Sequence, residues 1–181
     1  MKINDLLHDT QIEFRQILSE CSQFISESQK LPVYRALPTT YGEMRKVKVR
    51  KQKSTNFTEA YNRAFNDQHP DLVQRSIVAN GNPSSLVLEE DVAGYLVYPI
   101  DGYKFMYTAE VTDTIEQHKD VFESIGDSGV FSEMLSFSYS NENLHEGIQL
   151  GSEILLFNIP HYYAIQDNDR NRELLTSIDA L

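Results

Sequence analysis

At 181 residues, with hydrophobic residues at 40% and charged residues at 24%, the chain has the size and composition of one globular domain that needs no disulfide or metal staple. Collagen-like, low-complexity and disordered classes do not fit that composition. The single cysteine, Cys21, leaves no partner for an intramolecular disulfide and suits a reducing compartment, while a net charge of −11 opposes non-specific attraction to nucleic acid.

Taken in chain order, Phe14, Ile17, Leu18, Cys21, Phe24 and Ile25 follow one helical face behind a Thr10 to Glu13 capping box, which predicts a helix from about Thr10 to Ser28 in a helical segment 1–30. Leu31 to Ala36 reads as a strand with Pro32 at its entrance. Lys46-Val47-Lys48-Val49-Arg50 alternates as an exposed edge strand or a ribbon with one wet face. A second helix is capped at Thr55 or Asn56, passes through Phe57, Tyr61, Ala64 and Phe65, and ends near His69-Pro70. Leu72 to Ala79 predicts a strand ending in the turn Asn80-Gly81-Asn82-Pro83, and a third helix is expected from Pro83 to about Val92. Tyr95 to Ile100 and Lys104 to Val111 read as a hairpin closed at Asp101-Gly102. Val121 to Ile125 and Phe131 to Phe137 suit short helices. Glu153 to Asn158 and His161 to Ile165 are two further strands, and 166–181 reads as a polar tail. The fold expected is α+β, a single domain over 1–181, with helices at the N-terminal side and a core of two small, mainly antiparallel sheets forming a cleft.

The longest nearly uncharged apolar stretch, Ile148 to Ile159, falls far short of the roughly 20 apolar residues that cross a bilayer, and the acids Asp5 and Asp9 stand where a signal peptide is basic. No membrane partner and no export are expected. P-loop, Rossmann, His-Glu-x-x-His and Gly-x-Ser-x-Gly signatures are missing from the sequence. Five scattered histidines offer only His145, Glu146 and Glu153 as a loose ligand group, so no metal is expected. Between Glu43 and Lys53, six basic residues face one acid. That segment, Arg45 to Lys53, reads either as a contact for an anionic partner or as a solvated, aggregation-resistant edge.

Three polar residues sit where strands should be apolar: Arg35 after Leu-Pro-Val-Tyr, Ser76 after Arg75, and Glu153 ahead of Ile154-Leu155-Leu156. In that order, with Gly151-Ser152 before the glutamate, they resemble the Arg, Ser, Glu pattern of ADP-ribosyltransferases. From Leu31 to Ile165, including Tyr98-Pro99-Ile100-Asp101-Gly102-Tyr103 and His161-Tyr162-Tyr163-Ala164-Ile165, the chain is also similar to small proteins of tailed bacteriophages. The resemblance implies a two-sheet ADP-ribosyltransferase-like fold that uses NAD as substrate in the host cytoplasm and needs no metal. Glu153 would be the catalytic carboxylate and Ser76 would orient it. Arg35, with Arg75 near it, would hold the dinucleotide, and Tyr34 or Tyr41 would stack on nicotinamide. Arg35 and Glu153 are expected to converge on one cleft from adjacent strands. The chain departs from the family where Ile77 and Val78 follow Ser76 in place of a Ser-Thr-Ser triplet, and where Gly151 stands for the Glu or Gln of enzymes that modify arginine. The implied partner is a host acceptor protein. The competing reading is a non-enzymatic phage accessory or virion-associated protein that binds a host or phage protein through the same fold.

Overall fold

A computed structural model of the protein describes residues 14–49, 56–69, 77–110, 123–124 and 138–179, with single positions at 126 and 129. The described strands are β1 (Val33–Pro38), β2 (Met44–Lys48), β3 (Ile77–Asn80), β4 (Val92–Pro99), β5 (Lys104–Tyr107), β6 (Glu153–Phe157) and β7 (His161–Gln166). They form one seven-stranded sheet in the order β2-β7-β4-β1-β3-β6-β5, antiparallel at every junction. The class is α+β. The two separate sheets expected from sequence are joined here into one, although the join is narrow. β1 shares six residue pairs with β4, whereas it meets β3 at one pair, Tyr34↔Asn80.

Helical residues 14–20 (α1) are followed by α2 (Ser22–Glu27) rather than by an unbroken helix to Ser28. The break at Cys21 has a physical cause in the 98–103 connection, which supplies competing partners. The Asp101 carboxylate accepts from Ser22 Oγ at 2.7 Å and from the Gln23 amide at 2.8 Å, and the Asp101 amide donates to the Glu20 carbonyl at 2.9 Å. Asp101 therefore acts as the N-terminal cap of α2. Those bonds also overturn the expected hairpin. The turn at Asp101-Gly102 forms, but Gly102 donates to Gln23 Oε1 and the buried Tyr103 hydroxyl donates to Glu27 at 2.5 Å. Pinned to α2, the connection sends β5 to the far edge of the sheet beside β6 while β4 lies between β1 and β7.

α3 (Asn56–Gln68) forms where its apolar spacing predicts, and Phe65 stacks on Phe157 of β6 with ring centroids 5.6 Å apart. Of the strand expected over Leu72 to Ala79, residues 72–76 lie outside the described part and β3 begins at Ile77. The helix expected from Pro83 to Val92 is only a 3₁₀ turn, Pro83–Ser85. Asn82 caps it by accepting from the Ser84 amide at 2.9 Å, but Val87 and Leu88 beyond it are exposed and have no apolar face to pack, so nothing sustains a longer helix. Most of the two short helices expected within 121–137 lies outside the described residues.

Two helices were not expected. α4 (Leu144–Gln149) starts at Asn143, whose side chain accepts from Glu146 N and donates to Glu146 Oε2 at 3.0 Å, a reciprocal cap. α5 (Asp169–Asp179) takes the place of the polar tail: Asn168 Oδ1 caps the Asn171 amide at 2.9 Å and Leu175 is buried. Among the described residues no helix is long and apolar enough to cross a membrane.

Close backbone approach fixes α4 on the sheet. A Cβ added at Gly147 would lie 2.6 Å from the Tyr107 ring, and one at Gly81 would lie 2.6 Å from the Ile148 carbonyl oxygen. Neither glycine has a positive φ, so steric room alone demands them. Gly147→Ala and Gly81→Ala should each destabilise the fold by about 1–3 kcal/mol, read as a lowered urea midpoint with an unchanged slope. The exposed Gln29 holds φ +50 at the left-handed position that ends α2, so Gln29→Gly should raise the midpoint instead.

Candidate functional site

β1, β3 and β6 are consecutive in the sheet, so Arg35 and Glu153 come from strands separated only by β3. They are not on adjacent strands, as the sequence suggested. The register also divides the expected site residues between two faces. Tyr34 pairs with Asn80, and Asn80 with Glu153, so these three share one row and one face. Arg35, one position along β1, projects from the other face, opposite Tyr95 of β4. The expectation that Arg35 and Glu153 converge from one face is therefore corrected by strand alternation.

The Glu153 half of the site is built by the turn that precedes β6. Gly151, at φ +72, reverses the chain after α4, and its amide donates to the Ile148 carbonyl at 3.0 Å. The Ser152 amide then donates to the Gly147 carbonyl at 3.1 Å, and the Ser152 carbonyl accepts from Gly81 at 2.9 Å. Both glycines that admit α4 thus also hold the residue before Glu153. Glu153 is 6% exposed, a buried carboxylate at the first position of an otherwise apolar strand. Beside it the buried Ser152 hydroxyl has no hydrogen-bond partner among the described residues, the kind of orphan that costs about 1–3 kcal/mol in a core. Sequence reasoning passed over Ser152 and Asn80. The only signal for them was two polar side chains flanking predicted strands.

The Arg35 half is cationic and aromatic. Arg35 leans toward β3, where its Nη1 donates to the Val78 carbonyl at 3.2 Å. The buried Tyr95 donates its hydroxyl to the Gly42 carbonyl at 2.9 Å, and its ring meets Tyr41 edge-on, 6.5 Å between centroids. Arg45 of β2 lies 4.6 Å from the Tyr41 ring centre as a cation–π contact. Tyr162 is also buried, and burial raises its pKa while the nearby Arg35 charge opposes the rise. Of the two tyrosines offered for nicotinamide stacking, Tyr34 belongs to the Glu153 face and Tyr41 to the Arg35 face. Ser76 and Arg75 lie outside the described residues.

The basic strand is an edge of the sheet, as expected, and part of its charge is already used. Lys46 Nζ is 3.2 Å from Glu20 Oε2 and 5.1 Å from the Tyr163 ring centre. Tyr163 donates its hydroxyl to the same carboxylate oxygen at 2.6 Å. Lys48 is exposed, and 50–53 lie outside the described residues. His145, the best of the sequence's loose ligands, faces the Ser28 carbonyl at 3.0 Å through Nδ1. Among the described residues no three His, Cys, Asp or Glu side chains gather as a metal site.

The Glu20 carboxyl is held down to about 2 by the Tyr163 hydroxyl first, then by Gln16 and Lys46. A depressed carboxylate contributes stability that is full above its ordinary value of 4.5 and is lost as pH falls through about 2. Tyr163→Phe should therefore shrink the stability difference between pH 6 and pH 2.5, measured by urea unfolding at both pH values. An unchanged difference would show that the contact does not titrate.

No family model, no curated protein and no solved structure matches the chain.

Proposed function

We propose that the protein binds NAD and transfers ADP-ribose to a host macromolecule, as a phage-encoded mono-ADP-ribosyltransferase acting in the host cytoplasm. The observation that carries the reading is spatial. β1, with Arg35, and β6, with Glu153, flank β3, whose chain arrives from Ser76, although some 120 residues separate Arg35 from Glu153 in sequence. β6 lies between β3 and β5 and pairs antiparallel with both, which puts the glutamate strand beside β3.

In this reading the N-glycosidic bond to nicotinamide breaks, nicotinamide leaves with the bonding electrons, and an acceptor nucleophile attacks the ribose carbon and releases a proton. Glu153, buried and next to Ser152, whose backbone Gly81 and Gly147 hold, faces the developing positive charge on the ribose, where a preorganised carboxylate acts most strongly. Arg35 holds a phosphate oxygen with donors other than the one given to Val78, since a guanidinium carries five N–H groups. The arrangement requires the dinucleotide to reach round the strand ends beside the Tyr34↔Asn80 pair, because Arg35 and Glu153 start from opposite faces.

One observation favours a second reading. Strand alternation separates Arg35 from Glu153, and this suits a phage accessory or virion-associated protein that keeps the fold and binds a partner without turnover.

Calorimetry with NAD and turnover of labelled NAD separate the two. Glu153→Gln should keep NAD affinity and lower turnover roughly a hundredfold or more, because the amide keeps the shape and loses the charge. Arg35→Lys should weaken NAD binding by removing the planar fork. Absence of NAD binding by the parent protein would leave the binding-protein reading.

A further inference from the structure

We infer that the outer edge of β2 takes an extended acidic segment of a partner protein as a further strand of the sheet. β2 ends the sheet, and its inner side is laddered to β7 from Met44↔Ile165 to Lys48↔His161. Two bonds just outside that ladder fix which main-chain groups face which way. The Glu43 carbonyl accepts from the Gln166 amide at 2.7 Å, and the Val49 amide donates to the Pro160 carbonyl at 2.9 Å. Inward groups alternate by residue in an antiparallel pair, so Glu43, Arg45, Val47 and Val49 turn to β7. Met44, Lys46 and Lys48 turn their amides and carbonyls away from the sheet. Among the described residues these outward groups have no backbone partner.

The opposite edge of the sheet is treated differently. Tyr107 of β5 exchanges two bonds with Ser140, amide to carbonyl at 3.0 Å and 2.8 Å, so its far end is already paired. No proline and no left-handed residue interrupts Met44–Lys48, and its protection against pairing is charge. Charge excludes like strands and admits opposite ones. Two β2 strands from two copies would set three cations against three on one short ladder, which is destabilising. A strand carrying carboxylates meets the reverse situation.

The side chains say where those carboxylates belong. Arg45 and Lys48 have no carboxylate within ion-pair reach among the described residues, whereas Lys46 is held by Glu20 at 3.2 Å. Arg45 and Lys48 project from opposite faces of β2, and the half-buried Val47 shares the Arg45 face. An antiparallel segment reading Glu-Val-Thr-Glu-Val therefore sets its glutamates opposite Lys48 and Arg45 and a valine opposite Val47. Nucleic acid fits the same charge less well. The Tyr41 and Tyr163 rings, on which bases would stack, each carry a cation over one face, Arg45 at 4.6 Å and Lys46 at 5.1 Å from the ring centres. A peptide backbone also matches the outward row of amides and carbonyls, which a sugar-phosphate chain does not.

The test titrates four probes into the full chain while backbone amides are followed by NMR. They are the capped peptide Glu-Val-Thr-Glu-Val, its Gln-Val-Thr-Gln-Val counterpart, the acidic peptide N-methylated at its central threonine, and an oligothymidylate of equal length. At saturation the acidic peptide should slow hydrogen exchange at the Lys46 and Lys48 amides about fivefold or more, and leave Val47, already bonded to β7, unchanged. N-methylation should weaken binding about tenfold, because the donor to the Lys46 carbonyl is lost. Lys48→Gln should weaken it about two- to fivefold with an unchanged melting midpoint, as expected for an exposed cation. The glutamine peptide binding as tightly as the acidic one would overturn the charge selectivity. Equal binding of the N-methylated peptide would overturn main-chain pairing. Oligothymidylate binding more tightly than the acidic peptide at the same signals would assign the edge to nucleic acid, and no slowing at Lys46 and Lys48 with any probe would overturn the site.

Discussion

The junction between β1 and β3 governs how the rest of the molecule can be arranged. On one side of it β1 is laddered to β4 over its whole length, and on the other β3 is laddered to β6, yet the two blocks meet through the single pair Tyr34↔Asn80. Beyond that pair, where Ala36 would face Val78, the ladder has ended. Backbone carbonyls in such a place need a partner, since an unmet buried acceptor costs about as much as the bond it lacks. The Arg35 guanidinium supplies one by donating to Val78. A charged side chain inside a strand, which looks wasteful in the sequence, is thus explained first by the edge it closes.

The same junction explains why the candidate site divides. Tyr34, Asn80 and Glu153 run as a row across three strands on the side where Tyr34 meets α5, while Arg35 faces Tyr95 on the other. Because a strand's side chains alternate strictly, no adjustment of rotamers moves Arg35 to the Glu153 row. A common ligand has to engage both halves at the one place where the sheet is only a residue pair wide. Continuing the β1·β3 register would put Ala36 opposite Val78, the residue whose carbonyl Arg35 now reaches.

Elements defined by local pattern were legible in the sequence. The α3 spacing, the β6 and β7 runs, and the edge position of the basic strand needed only periodicity and a few turn residues. What failed needed distant partners. Asp101-Gly102 carries a hairpin signal, but the Asp101 carboxylate is engaged by Ser22 and Gln23, residues almost 80 positions earlier, and the strands it joins part company. The cap of α5 was visible in Asn168 and Asn171, but the prevailing polarity of 166–181 hid a helix that docks through Leu174, Leu175 and the buried Asn171. The strand order β1-β3-β6 was not legible, since no local feature of Glu153 says which strand it will join.

Charge shows the same limit in another form. The six cations between Glu43 and Lys53 read as one uncompensated cluster because a sequence window counts only near neighbours. In the fold, Glu20 crosses from α1 to Lys46, and its carboxylate is also claimed by Tyr163. Arg45 spends its planar face on the Tyr41 ring. Exposed pairs of this kind contribute little stability each, but they fix where the side chains point. Lys46 is turned toward the helix that covers the sheet, and Arg45 is turned to the face that carries Arg35. The cationic edge is therefore two surfaces, and an anionic partner approaching the described part of β2 meets Lys48 on one face and the Arg35, Tyr41 and Arg45 group on the other. Only the second of these adjoins Arg35, so under the proposed NAD-binding function a contact there would compete with the dinucleotide while a contact through Lys48 would not.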